Sequence, residues 1–74
     1  MNVLKTTKYQ LLKKTLLKKI QTQEYPVNSL FPSQNMLMRH YRVSYATVSR
    51  VLRELQNEGI IERIRGKGSF VKKN

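Results

Sequence analysis

Val43-Ser44-Tyr45-Ala46-Thr47-Val48-Ser49-Arg50-Val51-Leu52 decides the fold, because a helix start, a core-facing stripe and a polar outer face are written into one short run. Ser44 predicts an N-cap, its hydroxyl able to accept from the backbone N–H of Ala46 or Thr47, which have no intrahelical partner. Val48, Val51, Leu52 and then Leu55 recur at i, i+3, i+4 and i+7, a stripe that must be buried against another element. Tyr45, Ala46, Ser49, Arg50 and Arg53 fall largely off that stripe, and no acid occupies the first turns, so this half of the helix can approach a polyanion. Glu54 and Glu58 enter only in the second half, with Glu54 four residues beyond Arg50, the spacing of a helix-surface ion pair. Gly59 stands where a left-handed residue would end the helix without Cβ strain.

Working outward, Pro32 and Ser33 open a shorter helix capped by Ser33, with Leu37 and Tyr41 on its buried side and its end near Tyr41 or Arg42. Arg42 and Val43 alone then precede the capping Ser44, so two helices joined by a tight turn, one lacking the usual glycine, form a helix-turn-helix. Before it, Thr6 or Thr7 can cap a first helix from Lys8 to Gln23 with Tyr9, Leu12, Leu16, Leu17 and Ile20 on one face. Lys13, Lys14, Lys18 and Lys19 occupy much of the remainder, as a solvated face or as supplementary phosphate contacts. Pro26, Asn28 and Ser29 make residues 24–31 a connection, with a strand-like residue at Leu30 or Phe31. After Gly59, the runs Ile60-Ile61-Glu62-Arg63-Ile64 and Ser69-Phe70-Val71 flank Arg65-Gly66-Lys67-Gly68, which predicts a β-hairpin with a basic tip. The expected class is mainly α with a small β-hairpin: three helices plus a wing, a winged helix-turn-helix. Residues 1–74 are expected to form one such domain, with a core at 6–71 and residues 72–74 as a tail or the start of a linker.

Composition narrows the function. The 74 residues hold fifteen Lys and Arg against four acids, a formal net charge of +11, which argues for nucleic acid first and an anionic membrane second. A hydrophobic content of 39% with clear periodicity separates the chain from a disordered basic tail. It contains no cysteine, which removes disulfides and thiolate metal sites and is compatible with a reducing cytoplasm. No apolar run approaches a membrane span, and residues 1–12 lack the apolar core of a signal peptide, so a soluble, cytoplasmic, nucleoid-associated protein is expected. His40 is the single histidine and the acids have no metal-ligand spacing, so neither enzyme activity nor a cofactor is expected. Two other binders remain in view: a basic amphipathic membrane module using residues 4–20, and an architectural DNA- or RNA-binding protein indifferent to sequence.

From Tyr9 to Val71 the chain resembles the DNA-binding domain of the GntR family of bacterial transcription regulators. The likeness rests on Tyr9-Gln10, on Pro32-Ser33-Gln34 with Leu37, and on Val43-Ser44 and Thr47-Val48. It continues through Leu55-x-x-Glu58-Gly59-Ile60-Ile61-x-Arg63 and Gly66-x-Gly68-x-Phe70-Val71. Asn28 falls where the family commonly has glycine, and Asn tolerates a left-handed backbone best among the other residues. Asn35, Tyr45 and Ser49 stand where the family often has DNA-contacting arginines, so no operator sequence carries over. Residues 43–52 are also similar to the recognition helix of the LacI repressor family, in which the residues matching Tyr45, Ala46 and Arg50 face base edges.

The resemblance implies that the helix from Ser44 to Glu58 puts its first half into a major groove. Arg50 is the expected guanine reader, with a phosphate contact or the Glu54 pair as the alternative, and Tyr45 the expected contact to a base edge or thymine methyl, with a phosphate hydrogen bond or packing as the alternative; Ala46 lies beside them. Thr47 and Ser49 are expected on phosphate; Ser33 and Gln34 at the start of the second helix can bring backbone N–H groups to a phosphate, or Ser33 can act only as a cap, and Asn35 is a further candidate DNA contact. Gly66, Lys67 and Gly68 form a tip for the adjacent minor groove, flanked by Arg63 and Arg65. Tyr41, Phe70 and Met38 are assigned to packing. An operator-reading domain of a metabolite-responsive repressor is expected, its effector domain absent here; the intact regulator would be a homodimer on paired half-sites and the isolated domain a monomer.

Overall fold

A computed structural model describes residues 7–73. Expectations that fall on residues 1–6 or on Asn74, Thr6 as an alternative cap among them, lie outside that range. Three helices and three short strands follow one another as α1 (Lys8–Gln21), β1 (Leu30–Phe31), α2 (Gln34–Tyr41), α3 (Tyr45–Asn57), β2 (Ile61–Ile64) and β3 (Gly68–Val71).

Each helix begins on a hydroxyl cap. Thr7 Oγ1 accepts from the Gln10 backbone N–H at 3.1 Å while Gln10 Oε1 accepts from the Thr7 N–H at 3.1 Å, a reciprocal box that satisfies two otherwise unpaired donors. Ser33 accepts from the Met36 N–H at 3.1 Å and Ser44 from the Thr47 N–H at 3.2 Å. The helix ends differ from one another. Gly59, at φ 76°, closes α3: its N–H donates to the Gln56 carbonyl, and the Ile60 N–H to that of Leu55. That pair of hydrogen bonds is a Schellman closure, with Ile60 laid against the core. The same closure ends α1 two residues earlier than expected, at Gln21, because Gln23 takes the left-handed turn at φ 66° with no glycine to announce it. The turn between α2 and α3 likewise has an arginine doing what glycine usually does, Arg42 at φ 55°.

The core is a single apolar cluster of Leu12, Leu16, Ile20, Phe31, Leu37, Val48, Val51, Leu52, Leu55, Ile61 and Val71, with no buried polar or charged residue among the described ones. Helix α3 contributes four of these, all from the stripe read in the sequence, and so becomes the element on which the others pack. Tyr41 and Met38 pack half-buried against the cluster.

The wing is larger than a hairpin. β2 and β3 pair antiparallel from Ile61 with Val71 to Ile64 with Gly68, and β1 adds to the other edge of β3 through Leu30 with Phe70 and Phe31 with Ser69. The resulting sheet has the order β1-β3-β2. Asn28, left-handed at φ 73°, donates its N–H to the Val71 carbonyl at 2.7 Å and brings the connection onto the sheet. One edge of the wing is thereby fixed to the body of the molecule.

Candidate nucleic-acid interface

Helix α3 has two polar flanks around its buried stripe. One contains Tyr45, 63% exposed, together with exposed Ala46 and half-buried Ser49, near the start of the helix. The Ser44 hydroxyl, besides capping, donates to Thr47 Oγ1 at 3.0 Å, which leaves the Thr47 hydroxyl hydrogen free to meet an acceptor. At the start of α2, the Ser33 hydroxyl serves the Met36 N–H, and the backbone N–H groups of Gln34 and Asn35 have no partner among the described residues. An unpaired pair of N–H groups at a helix start is suited to a phosphate oxygen.

The start of α2 and the wing enclose a groove of about 930 Å³, lined among others by Ser33, Gln34, Arg63, Arg65, Lys67 and Ser69. Along β2 and β3 side chains alternate, so Arg63 and its partner Ser69 share the sheet face of Ile61 and Val71, which is the face turned to the helices. Arg65, Gly66 and Lys67 make the turn, which closes through the Lys67 N–H on the Ile64 carbonyl at 2.9 Å. Gly66 at φ 78° and Gly68 at φ 108° set that turn, and a Cβ on Gly68 would stand 3.2 Å from Leu30 Cδ1. The Gln34 Nε2 is buried beside this groove without a partner among the described residues.

All four acids are engaged: Glu24 by Lys19 at 2.9 Å, Glu62 by Lys72 at 3.2 Å, Glu58 by Lys13 at 2.8 Å, and Glu54 by Lys13 at 3.1 Å and Arg50 at 3.4 Å. Among the described residues Arg39, Arg42, Arg53, Arg63, Arg65 and Lys67 have no such partner, and all are exposed. Lys13 and Lys19 are therefore not members of a free cationic face, since each holds a carboxylate; Lys14 and Lys18 have no acid beside them among the described residues.

The second flank of α3 faces α1 and holds a cluster of which the sequence announced only the Arg50–Glu54 pair. The Tyr9 hydroxyl donates to Glu54 Oε1, and Lys13 Nζ reaches the same oxygen. Glu54 Oε2 accepts from Arg50 Nε, and the Arg50 guanidinium carbon lies 3.9 Å from the centre of the Tyr9 ring. The Tyr9 hydroxyl first, then the Lys13 ammonium, hold the Glu54 carboxyl down to about 2. Reciprocally, the carboxylate raises the Tyr9 hydroxyl, and Glu58 with Glu54 raises Lys13. Arg50 is thus seated on α1 through its Nε edge while remaining 57% exposed. In the sequence Tyr9 reads only as a residue of the buried face of α1; no local spacing links it to residues forty-five positions away.

Among the described residues no group of three or more His, Asp or Glu side chains could hold a metal ion, and no helix is long and apolar enough to cross a membrane. A helix-turn-helix carried on a three-strand wing with unpaired cations defines a winged-helix domain.

Comparison with known proteins gives the family. A family model described as "Bacterial regulatory proteins, gntR family" matches residues 8–71. The chain is 37% identical over 70 residues to the HTH-type transcriptional regulator YdfD of Bacillus subtilis, a match covering 95% of this chain and 14% of that protein. It is 33% identical over 63 residues to the histidine utilization repressor of Pseudomonas aeruginosa, covering 85% of this chain and 25% of the repressor. The chain belongs to the gntR family of bacterial regulatory proteins and carries the winged helix-turn-helix of such a regulator.

Among solved structures, AraR(DBD) in complex with operator ORE1 superposes with a TM-score of 0.83 at 26% identity, covering 88% of this chain and 79% of that one. A GntR family transcriptional regulator from Listeria monocytogenes has the same fold, with a TM-score of 0.88 at 23% identity over 95% of this chain and 61% of the other. The additional likeness of residues 43–52 to the LacI reading helix finds no support in these comparisons.

Proposed function

We propose that this chain reads a double-stranded DNA operator, with the first half of α3 in a major groove and the wing tip against the adjacent minor groove. The observation that carries this reading is the distribution of charge. Every acid is tied to a lysine, while Arg63, Arg65 and Lys67 stand without an acid partner along the groove that Ser33 and Gln34 also line, and Arg53 stands likewise on α3, whose first turn holds no acid. Tyr45, Ala46 and Arg50 are assigned to base edges; Ser33, Gln34, Asn35, Ser44, Thr47 and Ser49 to phosphates at the helix starts; Arg63, Arg65, Gly66, Lys67 and Gly68 to the wing contact. Operator complexes of AraR(DBD) and the repressor names of relatives support the same role.

In this proposal residues 6–71 are the core of one DNA-binding domain. The intact protein is a cytoplasmic, metabolite-responsive repressor that binds paired half-sites as a homodimer, uses no cofactor at this domain and catalyses no reaction. Amide NMR titration with duplex DNA tests the site. Shifts concentrated at 33–35, 44–50 and 63–68 are expected, whereas shifts confined to the lysines of α1 would reject the assignment.

A further inference from the structure

We propose that Tyr9 and Glu54 are positioning residues that present Arg50 to the DNA with its outer guanidinium edge free, so that α1 sets part of the sequence specificity of α3. This rests on the reading of Arg50 as a base contact given above.

The geometry divides the work among four side chains. Arg50 is two residues past buried Val48, about 200° round the helix from it, and so leaves the helix on the side away from the core. A free arginine there would sample many rotamers, and fixing them on binding would oppose recognition. Two contacts limit that freedom. The Tyr9 ring, its centre 3.9 Å from the guanidinium carbon, holds the group over its face. The Nε contact with Glu54 Oε2 at 3.4 Å sets its rotation about the chain. Neither contact occupies the two Nη groups, which have no partner among the described residues. A guanidinium held through Nε, with both Nη groups left without a partner, keeps the paired donors that guanine O6 and N7 accept.

Glu54 is itself anchored, and this allows a carboxylate to sit beside a DNA-facing arginine. Its Oε1 is taken by the Tyr9 hydroxyl and by Lys13 Nζ, leaving Oε2 for Arg50. Lys13 balances the carboxylate charge and is held a second time by Glu58 at 2.8 Å. The seat is therefore built from α1 and from the acidic half of α3. The two acids that would repel DNA are turned to support.

The test uses the chain with a duplex selected from a randomised pool and the same duplex with each G·C pair replaced in turn. Arg50→Ala is expected to narrow discrimination at one G·C position by about 5- to 150-fold, the range for a bidentate pair. Tyr9→Leu and Glu54→Gln, checked for folding by circular dichroism, are expected to narrow discrimination at that same position by about 2- to 5-fold, the worth of an exposed cation–π contact. Tyr9→Phe, which keeps the ring, is expected to retain more discrimination than Tyr9→Leu.

Glu54→Gln should at the same time strengthen binding to scrambled DNA, so the ratio and not the affinity is the readout. If Arg50→Ala narrows the ratio and both Glu54→Gln and Tyr9→Leu leave it unchanged, the positioning role is overturned while Arg50 remains a reader. If either folded variant widens the ratio, Tyr9 and Glu54 restrain Arg50 instead of presenting it, and the proposal also falls. If Arg50→Ala leaves every position unchanged, the reading beneath the proposal fails.

Discussion

Single residues carry two separable kinds of information in this chain. Arg42 holds the left-handed conformation, φ 55°, at the turn of the helix-turn-helix, where a side chain with a Cβ is strained by about 1–2 kcal/mol. Arg42→Gly is expected to raise stability by up to about 1 kcal/mol, after allowing for the larger backbone entropy of glycine in the unfolded chain; urea unfolding reads it as a higher midpoint at unchanged slope. A lower midpoint would mean that the arginine side chain contributes more at this turn than its backbone costs. Gln34 is the opposite case, an amide whose Nε2 is buried without a described partner, so Gln34→Met is expected to stabilise the fold by about 1 kcal/mol in the same measurement. Cap residues were legible because a cap is a local device: Ser33, Ser44 and Thr7 all act as their hydroxyls and spacing indicate. The left-handed Gln23 and Arg42 were not legible, because neither residue type signals that conformation and only the packing beyond each helix end selects it. Tyr45, Ala46 and Ser49 were legible as off-stripe positions, but the seat of Arg50 on Tyr9 depends on how α1 crosses α3, which periodicity does not encode.

At the scale of elements, the junction of α1 with α3 makes a prediction about pH. The Glu54 carboxyl is held at about 2 in the folded protein by Tyr9 first and Lys13 next, below its ordinary 4.5. A depressed carboxyl contributes stability that is complete above the unfolded value and is lost as pH falls toward the folded one. Stability measured by denaturant unfolding is therefore expected to be flat from pH 7 to pH 5 with respect to this group, and to fall between about pH 4.5 and pH 2. Glu54→Gln should remove part of that acid slope; an unchanged slope would show that the junction does not retain the carboxylate in solution. Lys13 is raised by Glu58 and Glu54, so its contribution is complete below its unfolded value and is lost only above about pH 10, beyond the range of this test. The wing gives a second prediction. Lys67 and Arg65 are exposed at the turn without a described acid partner. Replacing Lys67 by Gln is expected to weaken binding equally on all duplexes and reduce the salt slope by about 1, as one phosphate contact does. A loss confined to one sequence would instead assign Lys67 to base reading. The hairpin was legible from its β-branched runs and basic glycine turn. The pairing of β1 with β3 was not, because a strand of only Leu30 and Phe31 gains its definition from an edge supplied forty residues later.

On the whole-molecule scale, a net charge of +11 is compatible with either a sequence reader or an indifferent DNA binder; composition alone does not choose between them. The arrangement of those charges is more informative. Four acids sit in ion pairs, Glu54 and Glu58 on the α1 side, and Arg63, Arg65 and Lys67, without an acid partner among the described residues, line the groove between the wing and the start of α2. Family membership follows from residues 8–71, yet the match spans a seventh to a quarter of the curated relatives above, so effector and assembly belong to the proposal and not to this fold. The most direct measurement is selection of bound duplexes from a randomised pool, followed by titration of the winner and a scrambled control at several salt concentrations. The expected result is an enriched half-site whose advantage over the scrambled control disappears when Tyr45 and Arg50 are both replaced by Ala. Binding with steep salt dependence and no enrichment, or an enriched site indifferent to both replacements, would contradict it.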